Sequence, residues 1–331
     1  MVGRTAKLAE SFLVVLIQAV LSTTLLAKTE LKNLSEPLPE ASLETAIKEI
    51  SGIAVIDDKI ALLPEGKALI LSVNWSPSGK TRETAFGPIE AQTRRTLIAT
   101  LGGTDLVGAD YINRQTGSRW LALDGTEVSV REISTPEFNE VSKRSVAWDL
   151  IKPPSDRGGE PTRVETVELR ARFKKSWLKT PGRKIAGWAR RKGNEKHEGI
   201  ASYLLATKIP GFPVIEMRCG QGEEPSSCLM TRACFVDGAG DLHSSAITGI
   251  GFSAKSKRVF IGDSKGRKVH VFRFESCFHI VKVGELALPE KLKKLSNVFV
   301  DQADRLWLTT EAPDDYLNAS VYYWPLDVVY R

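Results

Sequence analysis

The chain has 331 residues, 42% hydrophobic and 26% charged, with 46 Lys and Arg against 40 Asp and Glu and a formal charge of +6. That composition excludes a disordered or fibrous chain and describes a globular protein large enough to bury its own core. The charge excess is too small to imply a nucleic-acid partner by itself.

The N-terminus differs in kind from the rest. Arg4 and Lys7 precede an apolar run from Phe12 to Leu21, and Ser22, Thr23, Thr24 and Leu25-Leu26-Ala27 follow. A basic start, about ten apolar residues and a small residue before polar sequence predict a secretory signal peptide over residues 1–27. An uncleaved anchor and a buried helix are the rival readings. The run falls short of the roughly 20 residues a membrane span needs. Residues 28–45, with Pro37 and Pro39, read as a linker, and 46–331 as one domain with no membrane span after cleavage. Localisation is then periplasmic or secreted.

From Ile50 onward the pattern is short strands and turns. Ile53, Val55, Ile60, Leu62, Leu69 and Leu71 fall mostly two residues apart, as half-buried strands require. Helical periodicity is weak, and its best stretch runs from Glu40 to Ile50. One phrase recurs: Ile50-Ser51-Gly52-Ile53, Ile247-Thr248-Gly249-Ile250 and, more loosely, Leu295-Ser296-Asn297-Val298. Recurrence at the length of a four-stranded unit, roughly 40–50 residues, predicts an all-β fold, a six-bladed β-propeller. Blade starts fall near Ile50, Leu106, Ser145, Gly199, Ile247 and Leu295. Two stacked β-sandwiches are the alternative.

The four cysteines, Cys219, Cys228, Cys234 and Cys277, lie in one third of the chain. In an oxidising compartment they are expected to pair. Cys219–Cys228 would close a Gly-rich turn, and Cys234–Cys277 would tie two neighbouring segments. Free thiols and a zinc site are the other readings, although no close Cys pair has zinc-ligand spacing.

The segment Ile247 to Phe272, with Gly249-Ile250, Arg258-Val259-Phe260-Ile261-Gly262-Asp263-Ser264 and Val269 to Phe272, resembles a blade of NHL or SMP-30-type six-bladed propellers. Ile50-Ser51-Gly52-Ile53-Ala54, Asp105-Leu106-Val107-Gly108-Ala109 and His197-Glu198-Gly199-Ile200-Ala201 are similar to blade openings of exported esterase-like phytase propellers. Val107 stands where that group carries Glu, and Leu63-Pro64-Glu65 where it carries Ser-Asp. The resemblance implies a channel site, with two of its acids missing here.

Acids near blade starts would converge on a propeller's central channel. Asp105, Asp110, Glu198 and Asp263 are the candidates, with Glu198, Asp110 and Asp263 as ligands of Ca²⁺ or another divalent cation. Such an ion can polarise an ester or phosphate, with Glu198, His197 and Asp263 as catalytic groups of a hydrolase. Alternatively Asp263 caps a turn, and His197, His243, His270 and His279 are structural. The strongest charge signal runs from Arg170 to Lys196, with eleven basic residues, Glu195 as the lone acid, and Phe173, Trp177 and Trp188 interleaved. Arg172, Lys175, Trp177, Arg190 and Arg191 would bind an anionic small molecule or polysaccharide, or an envelope protein. Export argues against nucleic acid. A solvated loop between blades is the plainer reading. The first reading of function is therefore an exported binding module, and the second a metal-dependent esterase, lactonase or phosphodiesterase with its site in the channel.

Overall fold

The computed structural model describes residues 49–56, 59–64, 69–74, 95–100, 105–114, 117–134, 140–149, 151–153, 162–191, 200–220, 228–288, 294–311 and 321–326. The expected signal peptide, linker and helical stretch from Glu40 lie outside them, apart from the last two residues of that stretch. Ile50 at its end opens a strand.

The strands follow one another as up-and-down antiparallel sheets. The first holds β1 (Ile50–Ile56), β2 (Lys59–Pro64), β3 (Leu69–Asn74) and β4 (Arg95–Thr100). The second holds β5 (Leu106–Arg114), β6 (Gly117–Asp124), β7 (Ser129–Ser134) and β8 (Glu140–Ser145). Helix α1 (Arg163–Lys179) intervenes before the third, made of β9 (Ile185–Arg191), β10 (Ile200–Thr207), β11 (Val214–Gly220) and β12 (Cys228–Ala233). The fourth comprises β13 (Val236–Asp237), β14 (Ile247–Ser253), β15 (Arg258–Asp263), β16 (Lys268–Ser276) and β17 (His279–Ala287). Its short β13 runs parallel along the outer edge of β17. A three-stranded sheet of β18 (Leu295–Val300), β19 (Arg305–Thr310) and β20 (Val321–Pro325) ends the described chain.

The inner strands β1, β5, β9, β14 and β18 meet in a circuit. Ser51 Oγ donates to the Leu106 carbonyl at 2.9 Å, joining β1 to β5. A Cβ added to Gly108 would run into the Trp188 ring, which places β5 against β9. One added to Gly187 would lie 3.1 Å from Gly249 Cα, and one on Gly249 would lie 2.5 Å from the Val298 backbone nitrogen. Ser296 Oγ donates to the Ile50 carbonyl at 3.1 Å and closes the circuit from β18 to β1. This is a β-propeller.

The recurring phrase now has a physical cause. Each inner strand slips register there against its neighbour, between Ile50 and Gly52, Leu106 and Gly108, Ile185 and Gly187, Ile247 and Ile250, and Leu295 and Asn297. A bulge leaves an extra residue and bends the strand, and glycine beside it lets backbones approach where a Cβ would collide.

The blade number differs from the expected six. The ring has four sheets of four or more strands, with the three-stranded sheet between the last and the first. Ser145, expected to open a blade, ends β8, and Gly199 lies outside the described residues, just ahead of the second strand of a sheet. The start that replaces both is Ile185-Ala186-Gly187-Trp188, with the same grammar, displaced by the insertion of α1.

The core lies between the sheets. One cluster joins Val107, Leu123, Trp188, Tyr203 and Met217 of the second and third sheets with Phe173 of α1. Others fill the next two gaps, around Phe272 and Ile250, then around Phe260 and Leu306. The segment after β8 bonds along β12, with Met230 N–H donating to Ala147 O at 2.7 Å and Lys152 N–H to Thr231 O at 3.0 Å. It thereby covers an edge that would otherwise expose unpaired backbone.

Both expected disulfides are present. Cys219 and Cys228 face each other across β11 and β12. Cys234 follows β12 and Cys277 sits in the turn between β16 and β17, so this bond staples the third sheet to the fourth. The loops they close differ, with sequence separations of 9 and 43. Loop-closure entropy assigns about 2.5 kcal/mol to the shorter and about 4 kcal/mol to the longer. The double variant Cys234→Ser/Cys277→Ser should therefore lose more stability in urea unfolding than Cys219→Ser/Cys228→Ser. The reverse order would show that the inter-sheet staple is not the main covalent restraint.

Candidate functional site

The ring's axis is occupied. Four inner strands carry glycine after the bulge, and the fifth carries Asn297, which is buried. Its Nδ2 donates to the Ser51 carbonyl at 2.5 Å and lies 3.5 Å from the carbonyls of Val107 and Ala186. Those three oxygens belong to three different sheets, so one amide sits between them. Around it, Ser51 Oγ also donates to Leu63 O at 3.1 Å and Thr309 Oγ1 to Ile50 O at 2.9 Å.

The acids expected at a channel mouth have internal partners. Asp105 does stand just ahead of β5, where Arg183 grips it bidentately at 2.6 and 2.8 Å. Asp110, further along β5, accepts from the buried Tyr203 hydroxyl at 2.8 Å and lies 3.3 Å from Arg190 Nη1. Burial first, and the Asp110 charge second, push the Tyr203 phenol well above its ordinary range, so it stays a donor. Trp188 stacks on the Tyr203 ring with centroids 4.4 Å apart. Asp263 is the turn residue of the β15–β16 hairpin, accepting from Gly266 N–H at 2.8 Å. Asp124 and Asp301 serve other turns in the same way, toward Glu127 and Ala303 at 2.8 and 2.9 Å. Asp110 and Asp263 lie in different sheets, and among the described residues no three His, Cys, Asp or Glu gather as metal donors. His197 and Glu198 lie outside the described residues.

Of the other histidines, His243 is exposed and His279 bonds Glu275 at 2.7 Å on the surface. His270 is fully buried in β16, with Nε2 3.4 Å from Asp263 and Nδ1 3.9 Å from Glu285. Glu285 is in turn bonded by Lys268 at 2.8 Å. Burial lowers the His270 pKa below 6.5, and the cations Lys282 and Lys268 add to this against the pull of Asp263.

The basic stretch from Arg170 divides in space. Arg190 and Arg191, at the end of β9, face carboxylates: Arg190 faces Asp110, and Arg191 bonds the buried Glu216 at 2.9 Å. Ser202 and Thr231 also donate to Glu216, at 3.3 and 3.2 Å. Arg183 and Lys184 precede β9, Lys192 and Lys196 lie outside the described residues, and Arg170, Arg172, Lys174, Lys175 and Lys179 belong to α1. That helix starts with a capping box, Thr162 Oγ1 accepting from Glu165 N–H while Glu165 accepts from Thr162 N–H. Its inner side is anchored by the fully buried Phe173, edge-on to Phe212 at 5.1 Å. Trp177 stacks on Trp148 at 5.9 Å, under the Lys184 ammonium. Arg170 donates to the Ile151 carbonyl at 3.1 Å. Arg172, Lys174, Lys175 and Lys179 are exposed, and none has an ion-pair partner among the described residues. Trp177 is thus an anchor of the helix, while Arg172 and Lys175 face solvent.

Sequence reasoning missed α1 itself and the role of Asn297. Thr162-x-x-Glu165 ahead of the basic run was the available signal for the first. For the second it was an amide side chain in a slot otherwise kept for glycine.

No protein-family model matches the chain, and no curated protein sequence does. Solved structures do resemble it. A GH43_1 enzyme from Xanthomonas citri aligns with a TM-score of 0.50 at 12% identity, over 91% of both chains. Myxococcus xanthus glutaminyl cyclase aligns at 0.41 and 11% identity, over 85% of this chain and 93% of that one. The β-propeller domain of Swd1 from Myceliophteria thermophila aligns at 0.34 and 9% identity, over 80% of this chain and 65% of that one. At such identities the likeness is one of fold alone.

The buried His270 carries a pH prediction. Its folded-state pKa is depressed, so as pH falls through 6.5 the unfolded chain takes up the proton first. Stability should fall from pH 7 toward pH 5, and this slope should flatten in His270→Gln. Equal slopes in the two proteins, by urea unfolding across that range, would show that His270 is free to charge in the folded state.

Proposed function

We propose that this protein is an exported binding module, a propeller serving as a rigid frame that presents the outer face of α1 to an anionic ligand. The observation that carries this reading is the row Arg172, Lys174, Lys175 and Lys179, exposed and without ion-pair partners among the described residues. The arginines that follow the helix are neutralised instead: Arg183 by Asp105, Arg190 by Asp110, Arg191 by Glu216. Cations left open on a helix anchored by two aromatic rings form a preorganised surface for phosphate, sulfate or carboxylate groups. Two disulfides support an oxidising compartment, in keeping with the apolar N-terminal run. The hydrolase reading draws less support. It needs acids open to a metal in the channel, whereas Asp105, Asp110 and Asp263 are held by internal donors and Asn297 fills the axis.

Titration with a fluorescein-labelled heparin fragment tests the proposal. Binding should weaken as salt rises. The variant Arg172→Glu/Lys174→Glu/Lys175→Glu should bind roughly tenfold more weakly or worse. Wild-type protein that ignores heparin at low salt, or a variant that binds it equally well, would remove the proposal's basis.

A further inference from the structure

Helix α1 is apolar on two opposite sides. One side, Leu169, Phe173 and Trp177, packs against the core of the second and third sheets. On the other, Val164, Val167 and Leu178 are 66%, 59% and 73% exposed, and exposed Ala171 falls between them. At 3.6 residues per turn these positions form one strip along the helix, about 20 Å long. Among the described residues seven large hydrophobic side chains are exposed, and three of them stand in this strip. Packing against the protein's own core therefore accounts for only one side of the helix.

The charges are arranged around the same strip. Lys174 and Lys175 fall within it by helical phase, and Arg163, Arg172 and Lys179 border it. The helix holds six basic residues and two acidic ones, and Glu165 is committed to the N-terminal cap. A soluble polyanion gains from the cations but nothing from exposed valine and leucine. A bilayer surface offers both complements at once, phosphates for the cations and the acyl boundary for the apolar strip. The aliphatic stems of Lys174 and Lys175 can lie along that boundary with their ammonium groups at the phosphates. No helix among the described residues is long and apolar enough to cross a membrane, so the contact is peripheral.

We infer that the outer face of α1 docks on an anionic lipid surface, with Val164, Val167 and Leu178 below the phosphates that Arg172, Lys174, Lys175 and Lys179 engage. This rests on the anionic-ligand reading above and narrows it to a lipid partner.

Sedimentation with vesicles tests it. One set is phosphatidylglycerol and phosphatidylcholine at 1:3, and the other is phosphatidylcholine alone. Wild-type protein should sediment with the anionic set and stay in solution with the neutral one. Val164→Ser/Val167→Ser/Leu178→Ser should lose at least tenfold in vesicle affinity yet bind heparin as wild type does. These side chains are exposed, so an unchanged melting temperature should accompany the loss, and Leu178→Ser alone serves if the triple variant does not fold. Vesicle binding that survives the serine substitutions overturns the lipid assignment. So does wild-type protein that binds heparin but no vesicle, an outcome that leaves the broader reading standing. Binding to neither ends both.

Discussion

A single amide sits where the inner strands converge. Asn297 Nδ2 donates to Ser51 O and approaches Val107 O and Ala186 O, three acceptors on three sheets. A buried carbonyl without a donor costs about 1–3 kcal/mol, so a ring of bulged carbonyls at an axis needs something to face. The other four inner strands carry glycine at that slot, which permits contact but offers no side-chain donor. Ser51, Ser296 and Thr309 complete the arrangement by donating to the carbonyls of Leu63, Leu106 and Ile50. Both ends of the domain contribute, because residues near 50 and near 297 meet there. Closure of the ring and satisfaction of its polar centre are one event.

That closure shapes where function can lie. The axis is filled by a side chain, and the acids Asp105 and Asp110 are held by Arg183, Arg190 and Tyr203. The frame is tied further by the Cys234–Cys277 bond between the third and fourth sheets. What the frame leaves open is the helix inserted between the second and third sheets. Its inner side contributes Phe173 to the core, and its outer side shows solvent a mixture of cations and aliphatic groups. A rigid ring carrying one exposed helix is a suitable support for surface recognition, since little order remains to be imposed on binding.

Much of the fold was legible in the chain because the propeller's constraint is local and repeated. The bulge returns with a similar run of residues at each inner strand, and four of the observed sheet starts fall where blade starts were expected: Ile50, Leu106, Ile247 and Leu295. Cysteine pairing was legible too, since Cys219 and Cys228 flank one hairpin. The third start was not legible because α1 lengthens the interval before Ile185, and because Gly187 lies inside a basic stretch whose charge masks the strand pattern. The site was less legible. Asp263 and Asp110 are acids near strand ends whatever they do. Only the backbone N–H of Gly266 and the hydroxyl of Tyr203, placed by folding, show that both are already engaged. The division of the basic run into paired arginines on β9 and open cations on α1 is likewise tertiary. It depends on Glu216, brought beside Arg191 across two strands.

The most direct measurement is the stability of Asn297→Asp at pH 7. The substitution keeps the shape of the side chain and replaces its donor with a charge facing carbonyl oxygens. If the amide closes the axis, urea unfolding should show a loss of about 3 kcal/mol or more, recovered in part as acid protonates the new carboxyl group. A variant within about 0.5 kcal/mol of wild type would place this side chain in solvent and contradict the account of how the ring is closed.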